Sequence, residues 1–231
     1  MKCQTMPLRQ MRRLLALALV PAVLSAVNPV GATSATPAAK AQKMATMVMP
    51  IYHQLVAFRA PLTFQVVHSN DNGQSFIQEA IPRGESLDNW SQMITVTGAK
   101  GMATQPRATP RLLAEMIAGG YQKACPSTFR ATKVNEGKLT GGDAFTVLVG
   151  CGEVRSGAKP VSEVALITTI KGEQDMYTVQ WSQRGPTTTA DKLFEQANWL
   201  QRLSALMPIK VCQRIPNEPA PYPSCTGFST R

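Results

Sequence analysis

VALITTIKGEQDMYTVQWS, residues 164–182, sets two apolar runs on either side of a turn. Val164 to Ile170 is apolar on both faces, which suits a central strand covered from two sides. Tyr177, Val179 and Trp181 alternate with Thr178, Gln180 and Ser182, the period of a strand with one buried face. Lys171-Gly172-Glu173-Gln174-Asp175 supplies turn chemistry between them. The stretch predicts an antiparallel hairpin in the middle of a sheet.

Working outward, the same patterns recur. Phe129 to Val134 and Ala144 to Val149 read as a hairpin around Gly137 to Gly142. Leu62, Phe64 and Val66 alternate with polar residues, Ser69 to Gly73 turns, and Ser75 to Ile81 returns. Gln92 to Thr97 (QMITVT) is rich in β-branched residues and forms a further strand. Two segments break this rhythm. Thr109-Pro110 sets a helix start, with Thr as cap and Pro at the first position, and Leu113, Met116, Ile117, Gly120, Tyr121 and Ala124 keep helical spacing up to Cys125. After Gly185-Pro186, Thr188 and Asp191 resemble a capping box, and Leu193, Ala197, Leu200, Leu203 and Met207 form an apolar stripe that Pro208 ends. The expected fold is α+β, an antiparallel-rich sheet of about six to seven strands covered by two main helices.

The chain's ends point to its compartment. Arg9, Arg12 and Arg13 precede an apolar run from Leu14 to Val27, and Val30-Gly31-Ala32 offers small residues to a signal peptidase, so residues 1–32 read as a secretory signal. A spanning helix needs about 20 apolar residues, whereas Pro21 interrupts this run and Ser25 and Asn28 dilute it. No transmembrane anchor is expected after cleavage. Residues 33–47 are Ala/Thr-rich and read as a flexible leader, with order beginning near Val48. Residues 48–231 then make a single α+β domain that ends in a Pro-rich tail. The implied location is periplasmic or secreted.

Lys and Arg total 24 against 14 Asp and Glu; the four basic residues of the signal reduce this excess in the mature chain. The remaining basic residues are scattered rather than gathered on one helix or face, which argues against nucleic acid. Of five cysteines, Cys3 lies in the signal. Cys125, Cys151, Cys212 and Cys225 remain, an even set that reads as two disulfides in an exported chain. Zinc fails on spacing, since no cysteine pair is two to four residues apart and His53 and His68 lie far upstream. Three pairings are possible. Cys125 with Cys151 is expected because both flank the hairpin centred near Lys138, and Cys212 with Cys225 because they bracket the loop of Pro216, Pro219, Pro221 and Pro223.

The stretch Gly84-Glu85-Ser86-Leu87-Asp88-Asn89-Trp90-Ser91-Gln92-Met93 running into a strand, and the Tyr177 to Trp181 strand before the last helix, resemble periplasmic members of the Mog1/PsbP-like (DcrB-like) superfamily over about residues 48–207. That resemblance implies an accessory or interaction role without shared catalytic residues. The chain departs from the lipoprotein members in lacking an anchor cysteine after the apolar core.

Catalytic motifs are absent. There is no G-x-S-x-G elbow and no H-E-x-x-H, and Gly141-Gly142-Asp143 lacks the lysine and helix of a phosphate loop. His53 and His68 fit surface or packing roles, the cysteines are accounted for as bridges, and Glu85/Asp88 and Glu173/Asp175 fall in turns. No catalytic residue, metal or cofactor is therefore assigned. Arg83, Glu85 and Trp90 form the candidate binding segment, because exposed Trp and Arg dominate interfaces; a Trp90 packed on the core is the competing expectation. The function expected is a non-catalytic accessory or binding module that acts on an envelope protein or a small ligand. The alternative is an exported hydrolase whose active residues converge from separate loops.

Overall fold

A computed structural model describes residues 42–156 and 159–227. The signal segment and the first part of the leader lie outside the described residues. Seven strands, β3 (Phe64–Asp71), β4 (Ser75–Pro82), β5 (Gln92–Ala99), β6 (Phe129–Leu139), β7 (Gly142–Ser156), β8 (Lys159–Lys171) and β9 (Met176–Gly185), form one antiparallel sheet in the order β3-β4-β5-β9-β8-β7-β6. These are the seven strands that the sequence pattern marks out. The β8–β9 hairpin sits in the interior of that sheet, Ile170 pairing with Tyr177. The buried pattern of β9 is denser than its alternation suggests: Thr178 and Ser182 are buried along with Tyr177, Val179 and Trp181. Thr178 hides its hydroxyl against Thr97 at 2.8 Å, so a polar side chain is tolerated there.

A second sheet was not expected. β1 (Met44–Ile51), β2 (Gln54–Pro61) and β10 (Lys210–Gln213) form a three-stranded antiparallel layer with β2 in the middle. It corrects the assignment of residues 44–47 to the leader: they pair with residues 58–61 of β2. Met49, Ile51, Val56, Phe58 and Val211 of this layer join Ile94, Leu148, Leu166, Val179 and Trp181 of the large sheet in the main core. The opposite face of the large sheet carries α1 (Pro110–Ala124), whose Ala114, with Ile117, Ala118 and Tyr121, packs on Phe145, Val147, Val149, Ala165 and Ile167. Thr109 caps that helix as expected, its hydroxyl accepting from Leu112 N–H at 3.1 Å.

The second helix is shorter than its stripe implies. α2 spans Trp199–Leu206 and is capped by Asn198, with a 3-10 turn at Leu193–Gln196 before it. Thr188 and Asp191 do not cap it, because their backbone is used elsewhere. Thr188 N–H donates to Gly152 at 2.9 Å, and the Arg130 guanidinium binds the carbonyls of Ala190 and Asp191. Both cysteine pairs, Cys125–Cys151 and Cys212–Cys225, are bonded, each with Cα atoms 5.7 Å apart. The β6–β7 hairpin centre lies two residues beyond Lys138, since Leu139 pairs with Gly142 around Thr140-Gly141. Cys125 reaches Cys151 through a turn closed by Thr128 N–H on its carbonyl.

That hairpin tip is tied to the small sheet. Val211 N–H donates to the Thr140 carbonyl at 2.8 Å, and Gly141 takes φ 105 with its missing Cβ position 1.9 Å from the Val211 oxygen. Only glycine fits both the conformation and the space. Gly141→Ala is expected to cost about 1–3 kcal/mol, read as a lower denaturant midpoint. An unchanged midpoint would mean that the tip does not rest on β10.

Candidate functional site

The Arg83, Glu85 and Trp90 segment joins β4 to β5, and the structure does not gather it into one surface. Arg83 is exposed. Glu85 turns inward on its own loop, accepting from Ser91 N–H and hydroxyl at 2.7 and 2.6 Å. Trp90 is buried at 7% exposure and packs with Ile81 and Met93. The Arg184 guanidinium covers its ring at 3.8 Å and also pairs with Glu163 at 2.9 Å. Trp90 is thus a core residue under a cation–π lid, the packed one of the two expectations for it.

His53 occupies a position that its sequence neighbourhood did not reveal. It sits with Tyr52 in the two-residue β1–β2 turn, and its ring Nδ1 lies 2.9 Å from Asp175, 122 residues away in the β8–β9 turn. Asp175 is fully buried and also accepts from His53 N–H (3.3 Å), Gly101 N–H (2.8 Å) and the Tyr177 hydroxyl (3.1 Å). One carboxylate thereby clasps three turns. Tyr52 is held at φ 49, a costly backbone for a non-glycine residue, and Arg214 secures it through its carbonyl at 3.0 Å. His68 is exposed on β3, remote in sequence and strand from this clasp.

Burial pushes the Asp175 carboxyl up, but the donated hydrogen bonds from Gly101, His53 and Tyr177 outweigh it and hold the pKa below the usual carboxylate range. The linkage follows in sign. A depressed folded pKa contributes stability that is fully present above the unfolded value of about 4 and lost as pH falls through the folded value. Urea unfolding below about pH 4 should show a steeper acid loss in the parent chain than in Asp175→Asn, which cannot titrate. Parallel acid profiles would show an unperturbed carboxylate.

A cleft opens between α2 and the β6–β7 hairpin. It encloses about 230 Å3. Leu200, Leu203 and Met207 of α2 form one wall, and Leu139 and Ala144 of the hairpin form the other. Thr146 and Thr168 lie on the floor, buried and bonded to each other at 3.1 Å. A bulge in β6 between Lys133 and Asn135 shapes the hairpin wall: Val134 packs on the main core while Asn135 lines the cleft. Leu200 is 69% exposed at the mouth. Lys138 is the one charged residue of the lining. On the α1 side of the same hairpin, a wider depression of about 470 Å3 is lined by Arg111, Glu136, Lys138 and Asp143, with Arg111 already paired to Glu136. The α2 cleft is the better candidate because its lining combines an open apolar wall with few polar groups.

Among the described residues no group of three or more His, Cys, Asp or Glu side chains is placed to hold a metal. Nor is any described helix long and apolar enough to cross a membrane.

No family model matches the chain, and no curated protein matches it. Solved structures give a likeness of fold. The Ran-binding protein Mog1p of Saccharomyces cerevisiae aligns over 72% of this chain and 86% of its own, at 12% identity and a TM-score of 0.39. LpqN of Mycobacterium tuberculosis, involved in cell envelope biogenesis, aligns over 73% of this chain and 91% of its own, at 7% identity and a TM-score of 0.36. Likeness at this level concerns the chain trace and leaves the ligand undefined.

Proposed function

We propose that this chain is an exported, non-catalytic binding module that takes the apolar part of a small cell-envelope ligand into the cleft between α2 and the β6–β7 hairpin. The α2 cleft carries the reading: Leu200, Leu203 and Met207 face Leu139 and Ala144 across a 230 Å3 space floored by the bonded Thr146 and Thr168. Burying such a wall releases about 25 cal/mol per Å2 of apolar surface, and nothing charged on the lining except Lys138 opposes it.

The hydrolase reading has the His53–Asp175 pair in its favour, since a carboxylate that orients an imidazole is half of a catalytic triad. It lacks the other half. Among the described residues the hydrogen-bond partner of the His53 ring is Asp175. The pair acts as a clasp between the two sheets.

Ser204 is exposed on α2 at the cleft wall, so Ser204→Trp fills the space from the surface. Stability should stay within about 0.5 kcal/mol, while affinity for 1-octanol, titrated by calorimetry below its solubility limit, should fall at least about tenfold. Unchanged affinity in a folded variant would remove the cleft from the account. Turnover of an ester probe abolished by His53→Ala would replace the binding module with the hydrolase.

A further inference from the structure

Several cations among the described residues have identified partners. Arg111 pairs with Glu136, Arg184 with Glu163, and Arg130 and Arg214 donate to backbone carbonyls. Arg202 of α2 is paired with no carboxylate among the described residues. Its guanidinium lies 4.6 Å from the Trp199 ring and 5.4 Å from the Trp181 ring, and Nη2 donates to the Gln183 side chain. Its Nη1 is buried and has no hydrogen-bond partner among the described residues.

A second donor stands beside it in the same condition. Trp199 is buried at 6% exposure, and its Nε1 likewise has no partner among the described residues. Trp181, by contrast, gives its Nε1 hydrogen to Gln92 at 2.9 Å. Trp199 and Arg202 are three residues apart on one helix and so share a face. Both lie in the first turns of α2, where the helix dipole is positive.

These observations have a common chemical meaning. Cation–π contact with two indoles offsets part of the cost of taking a guanidinium from water, but a buried charge ordinarily also has a counter-charge. Desolvation has lowered the Arg202 pKa to about 10. Two unsatisfied N–H donors, one of them cationic, define the complement they lack: an acceptor oxygen bearing negative charge. Arg202 is half-buried as a residue, while Trp199 belongs to the main core.

We propose that Arg202 and Trp199 form an oxyanion-binding site, in which one carboxylate or phosphate oxygen accepts from Arg202 Nη1 and Trp199 Nε1. The site stands apart from the α2 cleft, which is lined by Leu200, Leu203, Ser204 and Met207 on the same helix, and it does not rest on the cleft's role.

The test uses the folded mature chain with inorganic phosphate and with acetate, each replacing chloride at constant ionic strength. The indole N–H resonance of Trp199 is followed by NMR together with the melting temperature. The site predicts a saturable shift of the Trp199 resonance and a melting temperature that rises with the logarithm of oxyanion concentration. A response to acetate alone identifies a carboxylate ligand, and a response to phosphate alone identifies a phosphate ester. Arg202→Met should abolish both effects, and Trp199→Phe, which removes the N–H and keeps the packing, should weaken the apparent affinity by about tenfold. If neither anion differs from chloride, or if both variants respond as the parent does, the site does not exist. Should Arg202→Met fail to fold, the parent titration and Trp199→Phe decide the matter alone.

Discussion

Asp175→Ala is expected to lower the unfolding free energy by about 3–5 kcal/mol, the largest effect of any single substitution considered. The carboxylate is fully buried and accepts from two backbone N–H groups, an imidazole and a phenol. Alanine removes the acceptor and leaves Gly101 N–H and the Tyr177 hydroxyl enclosed, each at a desolvation cost of about 1–3 kcal/mol. Tyr177 keeps a second acceptor in the Ile51 carbonyl at 3.3 Å, which limits its share. The loss also releases the strained Tyr52 turn from the β8–β9 turn. A denaturant midpoint that falls while the slope stays constant measures this. His53→Ala provides the contrast, since its side chain is 44% exposed and donates one bond; its cost should stay near 1 kcal/mol. A loss of under 1 kcal/mol in Asp175→Ala would mean that the two sheets are held by apolar packing alone.

The second large effect belongs to the bridges. Cys125 and Cys151 are 26 residues apart and Cys212 and Cys225 are 13 apart, and closing loops of this order stabilises by about 3 kcal/mol each in the chain-entropy account. The paired replacement Cys125→Ala with Cys151→Ala should therefore lower stability by about that amount. It removes the covalent tie between the end of α1 and β7, leaving the Thr128 hydrogen bonds to Gly152 and Glu153 to hold the connection. Cys212→Ala with Cys225→Ala should free the tail from the Leu55, Ala57 and Cys225 cluster. Peptide mapping of protein recovered from the export compartment checks the pairings. Free thiols there, or a crossed pairing, would overturn both the topology and the compartment.

The large sheet was legible because its strands carry their own signal. Ile167, Leu166 and Val164 are buried on one side or the other whatever the distant chain does, and β-branched runs bounded by Gly and Asn announce themselves locally. The small sheet was not. β1 is Met44-Ala-Thr-Met-Val-Met-Pro-Ile51, carrying three methionines and a proline, and its strand state comes from pairing with β2 along its whole length. β10 is four residues long and exists through its register with β2. The α2 start was misplaced because Thr188 and Asp191 have capping chemistry that tertiary hydrogen bonds to Gly152 and Arg130 pre-empt.

The candidate site divides the same way. Core packing of Trp90 was one of two expectations from sequence, but its partner Arg184 is on another strand, so the cation–π contact was not readable. The Asp175 clasp joins residues 122 positions apart, with no motif to link them. The apolar stripe of α2 was visible through Leu200, Leu203 and Met207; that part of it faces an open cleft rather than filled core depends on how the β6–β7 hairpin bends at its bulge. Arg202 lay unremarked between these leucines, because an arginine on an amphipathic helix ordinarily faces water.

The binding role of the cleft is tested most directly by methyl NMR of the mature chain titrated with 1-octanol. The account predicts saturable shifts confined to the cleft methyls of Leu139, Ala144, Thr146, Thr168, Leu200, Leu203 and Met207, with Met116, 61% exposed on α1, unmoved. Shifts that never saturate, or that appear equally at Met116, would contradict it.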